Sequence, residues 1–147
     1  EKILALAESR MLQKNGYQVI TASSGEEALT LIQDHPEIDL ILMDINLGSG
    51  MDGPQTSKKI LEIINIPIVF LTSHSEKEIV EKVKSITRYG YVIKNSGDFV
   101  LLSSIEMAFE LLYKRRHLEK VDSKGEMIQL TELGKQEVET MKNFLAL

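Results

Sequence analysis

Short apolar runs alternate with helically spaced stretches from the first residue to about residue 120, and this alternation is what most constrains the fold. It is the pattern of an α/β sheet whose strands are joined by crossover helices. The expected order is αβαβαβαβα. Glu1 to Asn15 carries Ile3, Leu4, Leu6, Ala7, Met11 and Leu12 at helical spacing, and Gly16 supplies a stop. Tyr17–Ala22 reads as a strand. Ser24 with Glu27 predicts a capping box for a helix through Ala28, Leu29, Leu31 and Ile32, which ends near Pro36. The run Leu40-Ile41-Leu42-Met43 reads as a buried strand closed by Asp44. Asp52 then caps a helix with Pro54 in its first turn and Ile60, Leu61 and Ile64 on its apolar stripe. Ile66–Leu71 is the next strand, followed by Thr72. Ser75 and Glu78 predict a capping box for a helix bearing Ile79, Val80, Val83 and Ile86. Gly90–Ile93 is the last strand of the block and is followed by Lys94. A helix through Val100, Leu101, Ile105, Ala108, Leu111 and Leu112 starts at Ser96 or Asp98.

Composition narrows the chemistry. The 147 residues are 43% apolar, enough for a proper core in one domain. No cysteine is present, which excludes a disulfide framework, a thiol nucleophile and thiolate metal sites, and is compatible with a reducing cytosol. A net charge of −5 argues against broad nucleic-acid binding by residues 1–120, and the scarcity of aromatics argues against base stacking. No apolar stretch approaches the roughly 18 residues of a membrane span. The expectation is a cytoplasmic segment without a membrane partner.

Three successive strand-like runs finish at Asp44, Thr72 and Lys94. In a parallel sheet those ends lie side by side, where open α/β sheets place their reactive groups. Each residue alone has an innocent reading as a turn aspartate, a strand-end threonine or a solvated lysine. Together they suit phosphoryl transfer. An ionised carboxylate can attack phosphorus to give an acyl phosphate, a lysine can neutralise one phosphoryl oxygen, and a hydroxyl can donate to another. A magnesium ion, which prefers oxygen ligands and retains water, needs one or two protein carboxylates, of which Asp44 would be one.

On these residues the chain resembles the receiver domain of two-component response regulators over residues 1–120. DLILMDINLGSGMDG is similar to the phosphoacceptor strand and loop of that family, PIVFLTSHS to its threonine strand, and GYVIK to its lysine strand. The resemblance implies a doubly wound, flavodoxin-like parallel sheet. It implies that Asp44 is phosphorylated by a histidine kinase, that Thr72 is the switch hydroxyl, that Lys94 pairs with the phosphate and that Tyr91 is the switch aromatic. It also implies Mg2+ as cofactor, contacted by Asp44 and the backbone carbonyl of Asn46. Ser73 would be the small residue leaving the site open, and His74 would tune phosphoryl lifetime. No enzyme activity is implied beyond self-catalysed phosphorylation and dephosphorylation. The loop variant together with YGYVIKNSG is similar to receivers of multidomain sensor kinases.

The chain departs from the family in three places. Asn95 follows the lysine where proline is usual, often with a cis bond. A cis bond before a non-proline residue costs about 3 kcal/mol, so a trans loop is expected. The loop from Asp44 to Gly53 lacks the usual proline and uses glycines. The first strand of the family, which ends in an acidic pair, does not precede the first helix in this sequence. That strand is central in the family order 2-1-3-4-5. The expectation is that it precedes Glu1; the alternatives are truncation or another strand filling the gap, with Met127–Leu130 as a candidate.

Residues 121–147 form an extension: a linker, a dimerisation helix or a fragment of an output domain. YKRRHLEK continues the last helix to residue 120, with His117 a solvated side chain. Asp122-Ser123-Lys124-Gly125 reads as a turn, Met127–Leu130 as a strand and Thr131–Leu147 as a helix. The stretch IQLTELGKQEVETM bears a short likeness to the wing and final helix of winged-helix modules. A homodimer is one possible assembly. Two other functions compete. A haloacid-dehalogenase-type phosphatase also uses a strand-end aspartate, a Ser or Thr and a lysine. It needs an acid where Asn46 stands and metal ligands after the lysine, where only Asp98 is near. A degenerate receiver would act through protein contacts alone.

Overall fold

The computed structural model describes residues 2–45, 50–73, 77–86, 89–124 and 143–146. Elements follow in the order α1 (Lys2–Lys14), β1 (Gln18–Thr21), α2 (Gly25–Asp34), β2 (Leu40–Asp44), α3 (Gly53–Ile63), β3 (Ile68–Thr72), α4 (Lys77–Ile86), β4 (Tyr91–Ile93), α5 (Asp98–Lys124) and β5 (Asn143–Ala146). The alternation read from the sequence is therefore the alternation of the fold. The sheet is open, all its pairings are parallel, and its order is β1-β5-β2-β3-β4.

The apolar runs are continuous because both faces of the sheet are covered. Leu40 and Leu42 of β2 join Val69, Leu71 and Val92 in a cluster with Leu12 of α1 and Leu101, Ile105, Ala108, Phe109 and Leu112 of α5. The alternate residues Ile41, Met43, Ile68 and Phe70 pack with Ala28 and Ile32 of α2, Ile60 of α3 and Val83 of α4. Two helices thus lie on one face and three on the other.

Capping residues set the helix starts. The Ser24 hydroxyl accepts from the Glu27 amide at 3.1 Å, but the Glu27 carboxylate reaches back to the amide and hydroxyl of Ser23 instead of Ser24. At α3 the capping box closes both ways: Asp52 Oδ1 accepts from the Gln55 amide at 2.8 Å, and Gln55 Oε1 accepts from the Asp52 amide at 3.1 Å. The Ser75 cap expected for α4 lies outside the described residues. No helix among the described residues is long and apolar enough to cross a membrane.

The sequence reading needs correction beyond residue 120. The turn expected at Asp122–Gly125 is helical through Lys124, as part of α5. The helix expected over Thr131–Leu147 gives way to a strand at Asn143–Ala146; Met127–Leu130 lies outside the described residues. The strand occupies the central slot that the missing family strand would leave, with Val19 opposite Phe144 on one side and Ile41 opposite Leu145 on the other. An empty slot would leave the inner edges of β1 and β2 unpaired, and ladder hydrogen bonds on two sides outweigh a modest local helix preference.

Candidate phosphoacceptor site

The register of three neighbouring strands builds the site. Asp44 is opposite Leu71 and Thr72 is opposite Ile93, so β2, β3 and β4 end within a residue of one another. Backbone bonds lace these ends together: the Ile45 amide donates to the Leu71 carbonyl at 3.2 Å, and the Lys94 amide donates to the Thr72 carbonyl at 2.7 Å. The sequence-predicted trio therefore stands in one row. Lys94 Nζ donates to Asp44 Oδ2 in a direct ion pair, with the two side chains 17% and 18% exposed. Each is screened from bulk water yet reachable from it. Thr72 is buried at 3% exposure.

The other expected residues are distributed differently. Tyr91 is on the edge strand and is 36% exposed. Ser73 is exposed beside Thr72. Asn46 and His74 lie outside the described residues. Asn95 follows Lys94 through a trans peptide and takes a left-handed φ of 65°, a conformation that asparagine tolerates better than most residues. The trans peptide agrees with the expectation for a non-proline residue at this position.

Two site residues escaped the sequence reading. Gly53, the first residue of α3, lies against the peptide of Asp44: a Cβ there would be 2.0 Å from the Asp44 carbonyl oxygen. Its amide donates to the Ile45 carbonyl at 3.0 Å, so only a glycine lets α3 start this close to the end of β2. The second is Glu8 of α1. Burial pushes its carboxyl above the ordinary 4.5; the Lys94 ammonium pulls it down and the Asp44 carboxylate pushes it up. With Lys94 and Asp98 it lines a cavity of about 360 Å3 whose apolar wall includes Met11, Leu71, Val92 and Leu101. Its signal was in the sequence as a charge between Leu4 and Leu12 on the apolar stripe of α1.

Met51, just before α3, is held from α2. Glu26 Oε1 accepts from the Met51 amide at 3.3 Å, and Lys82 of α4 stands 4.0 Å from Asp52. Among the described residues no group of three His, Asp or Glu side chains could hold a metal. Asp44 nonetheless fits a single ligand position for Mg2+, which binds few protein carboxylates and keeps much of its water.

Comparison with known proteins agrees with this geometry. Residues 1–106 match the family model for the response regulator receiver domain. The chain is similar to the transcriptional regulatory protein PdtaR of Mycobacterium tuberculosis, 29% identical over 133 residues, which is 90% of this chain and 62% of that protein. It is 34% identical over 86 residues to the polar-differentiation response regulator DivK of Brucella ovis, covering 57% of this chain and 69% of that one. Among solved structures it resembles the N-terminal domain of a response regulator/sensory box/GGDEF three-domain protein from Carboxydothermus hydrogenoformans. That likeness has 44% identity and a TM-score of 0.73, and covers 80% of this chain and 94% of the other. The chain spans 62% of the length of the mycobacterial regulator. Receiver domains are signalling modules rather than conventional enzymes; their general partner is a histidine kinase, and they generally bind Mg2+ at the acidic phosphorylation site. With its sheet, its strand-end row and more than half its length matched, the chain belongs to the response regulator receiver family of two-component signalling.

Proposed function

We propose that Asp44 is the phosphoacceptor of this receiver and that a cytoplasmic histidine kinase is the donor. The observation that carries the reading is the Asp44–Lys94 ion pair at neighbouring strand ends, with the Lys94 amide bound to the Thr72 carbonyl. In the transfer an Asp44 carboxylate oxygen forms the new bond to phosphorus as the phosphorus–nitrogen bond of phosphohistidine breaks, and the imidazole leaves with the electron pair. Lys94 then shifts from the carboxylate to a phosphoryl oxygen. Thr72 donates its hydroxyl to a second oxygen, and Tyr91 at the edge strand follows that movement as the switch aromatic. The added charge biases an equilibrium between two states of the surface around the fourth and fifth helices.

Mg2+ would be held by Asp44 and the Asn46 carbonyl, with water completing its shell, and would neutralise charge on the transferring group. Residues 1–120 act as the receiver. Residues 121–147 complete its sheet through β5 and link it to an output.

The test is labelling of the full chain by radioactive acetyl phosphate or a phosphorylated kinase in the presence of Mg2+. Asp44→Asn should abolish incorporation while leaving the circular dichroism spectrum unchanged. Undiminished labelling of that variant would overturn the assignment. Failure of the unaltered chain to bind either Mg2+ or beryllofluoride would instead favour a receiver acting through protein contacts alone.

A further inference from the structure

Glu8 is a half-buried carboxylate on the apolar stripe of α1. Among the described residues it has neither a hydrogen bond nor an ion pair, and the Lys94 ammonium acts on it only at longer range. A charge drawn out of water without a partner is costly, and burial accordingly pushes this carboxyl above its ordinary value. An apolar side chain would fill the same place at lower cost. The position therefore invites a partner that the chain itself does not provide.

The cavity that Glu8 lines has a volume of about 360 Å3, within the range of small-ligand sites, which combine apolar walls with a few polar groups. Met11, Leu71, Val92 and Leu101 form its wall, and Glu8, Lys94 and Asp98 carry its charges. Those charges are not equally engaged. Lys94 is committed to Asp44 by a direct ion pair. Asp98 is exposed and opens α5, where the positive end of the helix offsets it. Glu8 has no such offset and stands beside the apolar wall. An apolar chamber bordered by an unmatched carboxylate is complementary to a protonated amine that carries an apolar body. The ammonium brings the charge and the hydrogen-bond donors that Glu8 lacks, and the body covers the wall. A neutral molecule would leave Glu8 unpaired, and an anion would be repelled by it.

We propose that this cavity, between α1 and the start of α5, is a binding site for a small amphipathic amine, with Glu8 as the anchoring carboxylate. The occupant stands beside the Lys94–Asp44 pair, but Asp44 is not among the described lining residues. Recognition of the amine uses no step of the phosphoryl chemistry.

Calorimetric titration of the full chain with phenethylamine at neutral pH should show saturable binding at a single site. Phenethyl alcohol, which lacks the charge, and methylammonium, which lacks the apolar body, should each bind weaker by about tenfold or more, and phenylacetate should not bind. Glu8→Gln keeps the shape of the side chain and removes its charge, and it should weaken phenethylamine binding about tenfold or more. Ala7→Leu enlarges an exposed lining residue of α1 and should weaken binding to a similar degree while leaving the urea midpoint unchanged. Glu62→Gln removes an equal charge from exposed α3, away from the cavity, and should bind like the unaltered chain. Absence of saturable phenethylamine binding, equal binding of phenethyl alcohol, or affinity indifferent to Glu8→Gln or to Ala7→Leu would each overturn the proposal. None of these results bears on labelling at Asp44, so the two assignments stand or fall separately.

Discussion

Gly53→Ala offers a sharp test of how the site is built. The new methyl carbon would be 2.0 Å from the Asp44 carbonyl oxygen and 2.9 Å from both the Asp44 carbonyl carbon and Ile45 Cα. All three are backbone atoms, so no side chain can swing aside. Restoring ordinary contact requires the start of α3 and the end of β2 to separate by about 1 Å, against a densely packed interior. That motion stretches the 3.0 Å bond from the Gly53 amide to the Ile45 carbonyl. Overpacking of this kind falls at the upper end of its range, about 3 kcal/mol, which corresponds to a fall of roughly 1–2 M in the urea midpoint. Because the displaced strand end carries Asp44, the phosphoacceptor proposed above, misplacement by about 1 Å should also slow acetyl phosphate labelling about 100-fold under conditions where the variant remains folded. Gly90→Ala is the control. It has open space around the added carbon and meets only the penalty of its φ of 93°, about 1 kcal/mol. The reasoning fails if Gly53→Ala unfolds within about 0.5 kcal/mol of the unaltered protein, a change typical of uninvolved surface positions.

Three further outcomes follow from the site and its surroundings. Lys94→Ala removes the cation paired with Asp44, and single-turnover labelling should fall about 100-fold, as on loss of a preorganised donor to developing charge. Glu8 has a folded-state pKa raised above 4.5, so the folded state holds its proton more tightly than the unfolded state and stability is lost as pH rises through the raised value. Urea titrations across pH should accordingly show Glu8→Gln more stable than the unaltered chain at neutral pH, with the advantage shrinking as pH falls toward 4.5; an advantage that grows on acidification would contradict the assignment. Ser57 is fully buried in α3, and its hydroxyl has no hydrogen-bond partner among the described residues. Ser57→Ala should be neutral or stabilising by up to about 1 kcal/mol, whereas a loss of more than that would reveal a partner.

Local chemistry made most of the fold legible. Leu40–Met43 is apolar at every position because both sheet faces are covered, and Asp52 announced α3 as its N-cap, to which the structure adds the reciprocal bond from Gln55. The row of Asp44, Thr72 and Lys94 was legible for a topological reason: consecutive parallel strands end at the same side of the sheet. Other features depend on approach in three dimensions. Gly53 looks like one loop glycine among several until the Asp44 carbonyl is placed against it. Asn143–Ala146 forms a strand because two edges flank it, a reason absent from its own side chains, and the helical spacing of Val138, Met141 and Leu145 pointed the other way. Glu8 was readable in principle as a charge within an apolar stripe; its electrostatic link to Lys94 and Asp44 became visible once α1 was docked.

The placement of β5 also governs when the molecule can become whole. During synthesis β2, β3 and β4 can assemble as a unit while β1 waits beside them, since the strand that bridges Gln18–Thr21 to Leu40–Leu42 is supplied by residues 143–146. The pairing of Val19 with Phe144 closes one of the longest loops the chain allows, and contacts so distant in sequence are made late and slowly. Until that contact forms, the facing edges of β1 and β2 lack the ladder partner that β5 gives them, so the pairing of residues 143–146 is the step that joins β1 to the rest of the sheet.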